Sequence, residues 1–272
     1  MKFKNLIEEM KTVRDFKEES VDNVLIQSII KAGEETQGIV DDANVSILFI
    51  ENGEKLHSEL NGMAGYHGYL IPAPHYIAIL SKKSSSYMEN SGYLMESMRL
   101  KAWTLGLGTC WLSIEDPEEL KNILKTDQDK VITSLIAIGY SYSGIFKTDL
   151  SPKTDRKNIT DLVYVDSWGT PCNMEYLNAR GMTNIFYYAK LAPSWGNKQP
   201  WRFIIDNEKV LLLLNEPQIE NIYLDAGIMM LYFEKVAQEE GIPGKWNLQI
   251  EEGLELKYNI PKEYKAIAYF SL

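Results

Sequence analysis

Three short segments of this chain carry residues able to bind a polar ligand. Residues 192–203 read Ala192-Pro193-Ser194-Trp195-Gly196-Asn197-Lys198-Gln199-Pro200-Trp201-Arg202-Phe203. Pro193 and Pro200 exclude helix, and Gly196 admits a positive φ. Ser194 and Asn197 place short hydrogen-bonding side chains at a turn, and Trp201 begins a run that reads as a core-anchored strand. A polar binding loop and a plain helix-to-strand connection both satisfy this pattern. Residues 10–16, Met10-Lys11-Thr12-Val13-Arg14-Asp15-Phe16, set two cations and a hydroxyl within four positions. Such groups suit a small phosphate through charge-assisted hydrogen bonds; a solvated basic helix end is the other reading. Residues 106–113, Gly106-Leu107-Gly108-Thr109-Cys110-Trp111-Leu112-Ser113, have glycines that let a backbone approach another group closely.

The loop at 192–203 resembles the signature of the FMN-dependent nitroreductase family, A-P-S-x-x-N-x-Q-P-W-x-F, at every fixed position. Residues 10–16 are similar to that family's basic N-terminal arm, with Met10 where an Arg is usual. Residues 106–113 are similar to its glycine turn after a long core helix. The resemblance implies an FMN phosphate held by Lys11, Thr12 and Arg14, with Arg156 completing the set and Lys153 a weaker candidate. It implies Pro193, Ser194 and Asn197 along the isoalloxazine edge, and Leu112 and Ser113 near the N5 side. Arg14 would also tune the flavin from its N1 side, where a cation stabilises the reduced anion. No side chain is required as an acid or base, so no catalytic residue is assigned beyond the flavin itself. The implied activity is NAD(P)H-dependent ping-pong reduction, by hydride through flavin N5, of nitroaromatic, quinone or flavin-like small molecules. A flavin-binding carrier or sensor with little turnover is the alternative.

Strand and helix patterns position these segments. Apolar spacing predicts helices over 21–32, 93–105, 117–124, 185–191 and 223–239. Strands are expected at 45–51, 76–80, 110–112, 131–141, 201–206, 210–214, 246–250 and near the C-terminus. Leu48-Phe49-Ile50-Glu51-Asn52 parallels Phe203-Ile204-Ile205-Asp206-Asn207, and Gly106 precedes Trp111 by the spacing that separates Gly241 from Trp246. The strands around 137–141 and 266–270 match in apolar-aromatic character. This order suggests a duplicated α+β unit resembling the family subgroup with two fused halves, 1–160 and 161–272. The expected fold is therefore α+β, two related three-layer α/β/α halves with largely antiparallel mixed sheets forming an intrachain pseudo-dimer.

One FMN per chain is expected, its arm from the first half and its loop from the second. The first-half counterpart of Ala192-Pro193-Ser194 is Ala32-Gly33-Glu34, followed by Glu35, and Met174 stands where a second Arg14 would fall. Two carboxylates there would repel a phosphate.

The 272 residues include 38 Asp and Glu against 28 Lys and Arg, a net charge of −10. That field disfavours nucleic acid and anionic membrane as partners. No apolar run reaches the ~18 residues of a spanning helix. The charged start lacks a signal-peptide pattern. Cys110 and Cys172 form no CxxC pair, and His57, His67 and His75 have no zinc-ligand spacing. The expectation is a cytoplasmic, metal-free monomer that mimics a dimer, with further self-association open. His67 is a candidate for the substrate side or a surface loop, and His75 for packing. Cys110 is not expected to be a nucleophile. Trp195 is expected either to cap the ring or to cover the junction of the halves.

Overall fold

Described by a computed structural model over residues 2–40, 44–60, 64–65, 69–142 and 155–272, the chain divides into two compact units. One is Glu9–Pro152; the other joins Met1–Glu8 to Lys153–Leu272. His67 and Lys153 lie outside the described residues.

After α1 (Phe3–Glu9), the Glu9–Pro152 unit runs α2 (Asn23–Glu35), β1 (Val45–Ile50), α3 (Gly53–Glu59), β2 (Ala64–Gly65) and β3 (His75–Ser81). It continues with α4 (Tyr87–Thr104), β4 (Gly108–Ile114), α5 (Pro117–Leu124) and β5 (Val131–Gly139). The strands form one antiparallel sheet in the order β1-β3-β5-β4-β2. All seven residues of β3 are buried because both faces of the sheet are covered. Its side chains alternate between the covers, as the two-residue period of a strand requires. Tyr76, Ala78 and Leu80 join Leu56 of α3 and Leu120 of α5, while Ile77 and Ile79 join Ile29 of α2 and Met95 of α4. The result is a three-layer α/β/α sandwich.

The α5 bounds match the sequence expectation because the signals are local. Pro117 starts the helix, and the Asp116 side chain accepts from Glu119 N at 3.0 Å. By contrast, α4 begins six residues before the expected position 93. Its first turns carry Glu89, Asn90 and Ser91, polar residues that hide the apolar periodicity yet are buried. Asn90 Oδ1 accepts from Ile39 N at 3.0 Å, giving one of these groups its partner.

The second unit contains α6 (Ile159–Leu162), β6 (Val163–Val165), α7 (Met174–Ala179), α8 (Thr183–Ala189), β7 (Trp201–Ile205) and β8 (Lys209–Asn215). Then follow α9 (Ile222–Glu239), β9 (Trp246–Asn247), α10 (Leu254–Lys257) and β10 (Tyr264–Ser271). Its sheet order is β6-β7-β8-β10-β9, antiparallel except for the parallel β6/β7 pair. Leu254 and Tyr258 cover one face over Ile204, Leu211 and Leu213. On the other face Phe186, Phe203, Phe233 and Phe270 make aromatic contacts, with Phe233 and Phe270 centroids 5.0 Å apart. Strand β9 is shorter than the expected 246–250, because the Asn247 side chain accepts from Gln249 N at 2.8 Å and turns the chain.

Two structural parallels connect the units. The order β1-β3-β5-β4 and the order β7-β8-β10-β9 have the same antiparallel pairings and the same sequence succession. Helices α4 and α9 are each 18 residues long and end alike. Gly106 at φ 79° donates to Trp103 O and Leu107 to Ala102 O; Gly241 at φ 81° donates to Gln238 O and Ile242 to Ala237 O. Both are glycine caps with left-handed backbone. No helix among the described residues is long and apolar enough to cross a membrane.

Candidate functional site

The loop between α8 and β7 is held by its own polar side chains. Gly196, Asn197 and Gln199 all have positive φ, at 55°, 55° and 49°. For a non-glycine residue this conformation costs roughly 1–2 kcal/mol, least for Asn. Hydrogen bonds offset that cost. Ser194 Oγ accepts from Gln199 N at 2.9 Å, and Asn197 N donates to Ser194 O at 2.9 Å. Trp201, fully buried, then fixes the start of β7.

A second stretch, 155–157, completes the loop from some forty residues away in sequence. Arg156 Nη1 donates to Asn197 Oδ1 at 2.6 Å, and Nη2 donates to Leu191 O at 3.1 Å. Asn197 Nδ2 donates to Asp155 O at 2.6 Å, and Lys157 N donates to Gln199 Oε1 at 2.9 Å. Burial lowers the Arg156 pKa from its usual value. Arg156 and Asn197 are thus brought together, with their side chains engaged in bracing the loop. Pro193 and Ser194 are half-buried beside this brace.

Trp195 stands out from the loop at 57% exposure, with the Lys198 ammonium 4.6 Å from its ring centroid. Its backbone N lies 3.1 Å from each carboxylate oxygen of Asp225, a buried residue of α9. Burial pushes the Asp225 carboxyl up to about 8, against the lowering effects of the Trp195 N–H and the Lys198 charge. Asp225, Asp155 and Lys157 were missed in the sequence. The available signals are a lone carboxylate within Leu224-Asp225-Ala226-Gly227-Ile228 and the adjacency of Asp155 and Lys157 to Arg156.

In the Glu9–Pro152 unit the basic segment lies along two strand ends. Thr12 pairs with Thr109 and Val13 N donates to Thr109 O at 2.9 Å; Lys17 N donates to Tyr140 O at 2.9 Å. A Cβ on Gly108 would come 2.7 Å from Val13 Cβ, so this glycine gives the arm its place against β4. Lys11 is exposed, and Thr12 and Arg14 are half-buried.

Beneath this contact is a buried ion pair. Arg99 Nε donates to Thr109 Oγ1 at 3.1 Å, Arg99 Nη1 to Glu96 Oε2 at 2.7 Å, and Trp111 Nε1 to the same oxygen at 2.8 Å. Leu112 packs into the core on the α3 and α5 face, while Ser113 is half-buried opposite Gly65. Cys110 is buried in the same core. His75 is also buried; Nδ1 bonds Glu51 O at 2.6 Å and Nε2 accepts from Val21 N at 3.0 Å, which makes it a structural tie. Among the described residues no cluster of His, Cys, Asp and Glu could hold a metal ion.

The donor chemistry fits FMN within each unit. The arm supplies two cations and a hydroxyl of the kind a phosphate dianion accepts from. The loop supplies a preformed turn whose shape is set before any ligand arrives.

Residues 2–237 match the protein-family model described as "Putative TM nitroreductase". Among solved structures, the chain is similar to one from Thermotoga maritima described as a putative nitroreductase. Identity is 18% and the TM-score 0.62, over 99% of this chain and 93% of that one. An FMN-dependent nitroreductase from Clostridium difficile R20291 aligns with 51% of this chain and 87% of its own, at 22% identity and TM-score 0.46. A nitroreductase family protein from Clostridium novyi NT aligns with 63% of this chain and 97% of its own, at 20% identity and TM-score 0.48. No curated protein matches the chain.

Proposed function

The chain belongs to the TM nitroreductase family, and on that premise we propose that it is an FMN-dependent NAD(P)H oxidoreductase binding one FMN per chain. The observation that carries this reading is the loop at 192–203. It matches the signature at every fixed position, and its polar residues hold one another in a strained turn. FMN, when bound, supplies a ring that accepts hydride from NAD(P)H and passes it to a nitroaromatic, quinone or flavin-like acceptor.

The chain's own residues bind and orient. Lys11, Thr12 and Arg14 hold the phosphate, and Arg14 also places positive charge towards the N1 side of the ring. Pro193, Ser194 and Ser113 are assigned to the ring, and Leu112, its side chain buried in the core, to the backbone that approaches it. Asn197 and Arg156 act chiefly by fixing the loop, since their bonds to each other, Leu191 and Asp155 occupy much of their capacity. The duplicated-half reading is supported by the repeated strand order and the two glycine-capped helices; a self-sufficient cytoplasmic chain is part of the same proposal. A carrier with little turnover is the second reading, favoured by Met10 in place of an arm arginine.

Purified protein is expected to hold flavin at one equivalent and to bleach anaerobically on adding NADH or NADPH. Two equivalents would overturn the single-site reading, and failure to bleach with either donor would select the carrier. Arg14→Ala is expected to weaken FMN binding by about 10- to 100-fold, the range for losing a charged hydrogen bond. Fluorescence titration of apoprotein with FMN measures this, and unchanged affinity would remove Arg14 from the site.

A further inference from the structure

On the same unit as the signature loop there is a cavity of about 170 Å³, lined in part by Gln199 and Pro200 of that loop. Its wall includes Lys157, Lys198, Arg202, Asn215, Glu216 and Tyr264. Three basic residues and one acidic residue thus line it in a chain whose net charge is −10, with the Lys198 ammonium itself over the Trp195 ring. None of the three makes an ion pair with a carboxylate among the described residues.

Their positions are built rather than incidental. Lys157 Nζ donates to Lys198 O at 3.1 Å, and Arg202 Nη1 donates to Trp201 O at 2.7 Å. The Arg202 guanidinium also lies 5.8 Å from the Tyr264 ring centroid. These contacts hold like charges at one cavity, while Arg202 Nε and Nη2 make no hydrogen bond among the described residues. Burial lowers the Lys157 pKa, the nearby Arg202 charge lowers it further, and the Asp161 carboxylate partly opposes both. An anion in the cavity would relieve that repulsion and accept from the remaining donors. The volume is below the about 300–1,000 Å³ of sites for drug-sized ligands, so the occupant is small.

The geometry points to a phosphate-binding site at this cavity, formed by Lys157 and Arg202, which takes inorganic phosphate or the phosphate end of a larger monoester. It uses none of the residues proposed for the FMN phosphate, although Lys157 follows Arg156, and it does not depend on flavin chemistry. Calorimetric titration of the FMN-saturated protein with inorganic phosphate, and separately with glycerol 2-phosphate, tests it at fixed ionic strength. Saturable one-to-one binding of either is expected, and the tighter of the two identifies the source. Arg202→Met and Lys157→Met should each weaken it at least tenfold, and Lys31→Gln should leave it unchanged. Arg202→Lys keeps the charge but loses the fork, and should weaken binding several-fold; it serves if the Met variant does not fold. No saturable binding, equal affinity in folded variants, or binding seen only without FMN would overturn the proposal. If the protein holds no FMN, the flavin reading fails, while the same titration of the unloaded protein and its variants still decides this site.

Discussion

Glu96→Ala is expected to destabilise the Glu9–Pro152 unit by about 3–5 kcal/mol, the range for breaking a buried ion pair from one side. Glu96 is 0% and Arg99 2% exposed, so the remaining guanidinium would lose its carboxylate with little access to water. Trp111 Nε1 would lose its acceptor as well. Glu96→Gln retains one acceptor oxygen and should cost less. A Glu96→Met, Arg99→Met double variant should recover much of the loss, because no uncompensated charge remains buried. Urea unfolding followed by tryptophan fluorescence reads these differences; a wild-type midpoint for Glu96→Ala would refute them. With two compact units, the transition belonging to residues 9–152 has to be resolved separately. The same variant should loosen the basic arm, since Arg99 also holds the Thr109 side chain while Thr109 O receives Val13 N.

The second large effect concerns Asp225, and its sign follows from proton linkage. Its folded-state pKa is raised to about 8 from 3.8. Between those values the folded chain keeps the proton and the unfolded chain releases it, so stability falls as pH rises from about 4 to about 8. The contribution lost is on the order of 5 kcal/mol, from about 1.4 kcal/mol per unit over that window. Asp225→Asn removes the titration while retaining an acceptor for Trp195 N. It should therefore match wild type near pH 4 and be several kcal/mol more stable at pH 8. Denaturant midpoints for both proteins at the two pH values test this; parallel pH profiles would dismiss the titration.

Local signals were legible residue by residue. Asp116 and Pro117 placed α5, Gly106 and Gly241 placed two helix ends, and Trp201 placed the start of β7. The start of α4 was not legible, because its polar first turns look exposed in a linear pattern and only packing buries them. The shortening of β9 turns on one Asn side chain, too small a signal against an apolar run.

The candidate site divides along the same line. Its chemical character could be read from residues 10–16 and 192–203, because phosphate and turn chemistry are properties of residue type and near spacing. The sequence by itself determined the family, the acidic balance and the repeated order of strands and helices. Tertiary structure decided which polar groups meet. It joined Arg156 to Asn197, set Asp225 under Trp195 N, and buried Glu96 with Arg99 below Thr109. Two of these pairings span tens of residues, and the third is an ordinary helical spacing until burial changes its energy. Charge and burial at such points depend on what the chain packs around them, which no local pattern carries.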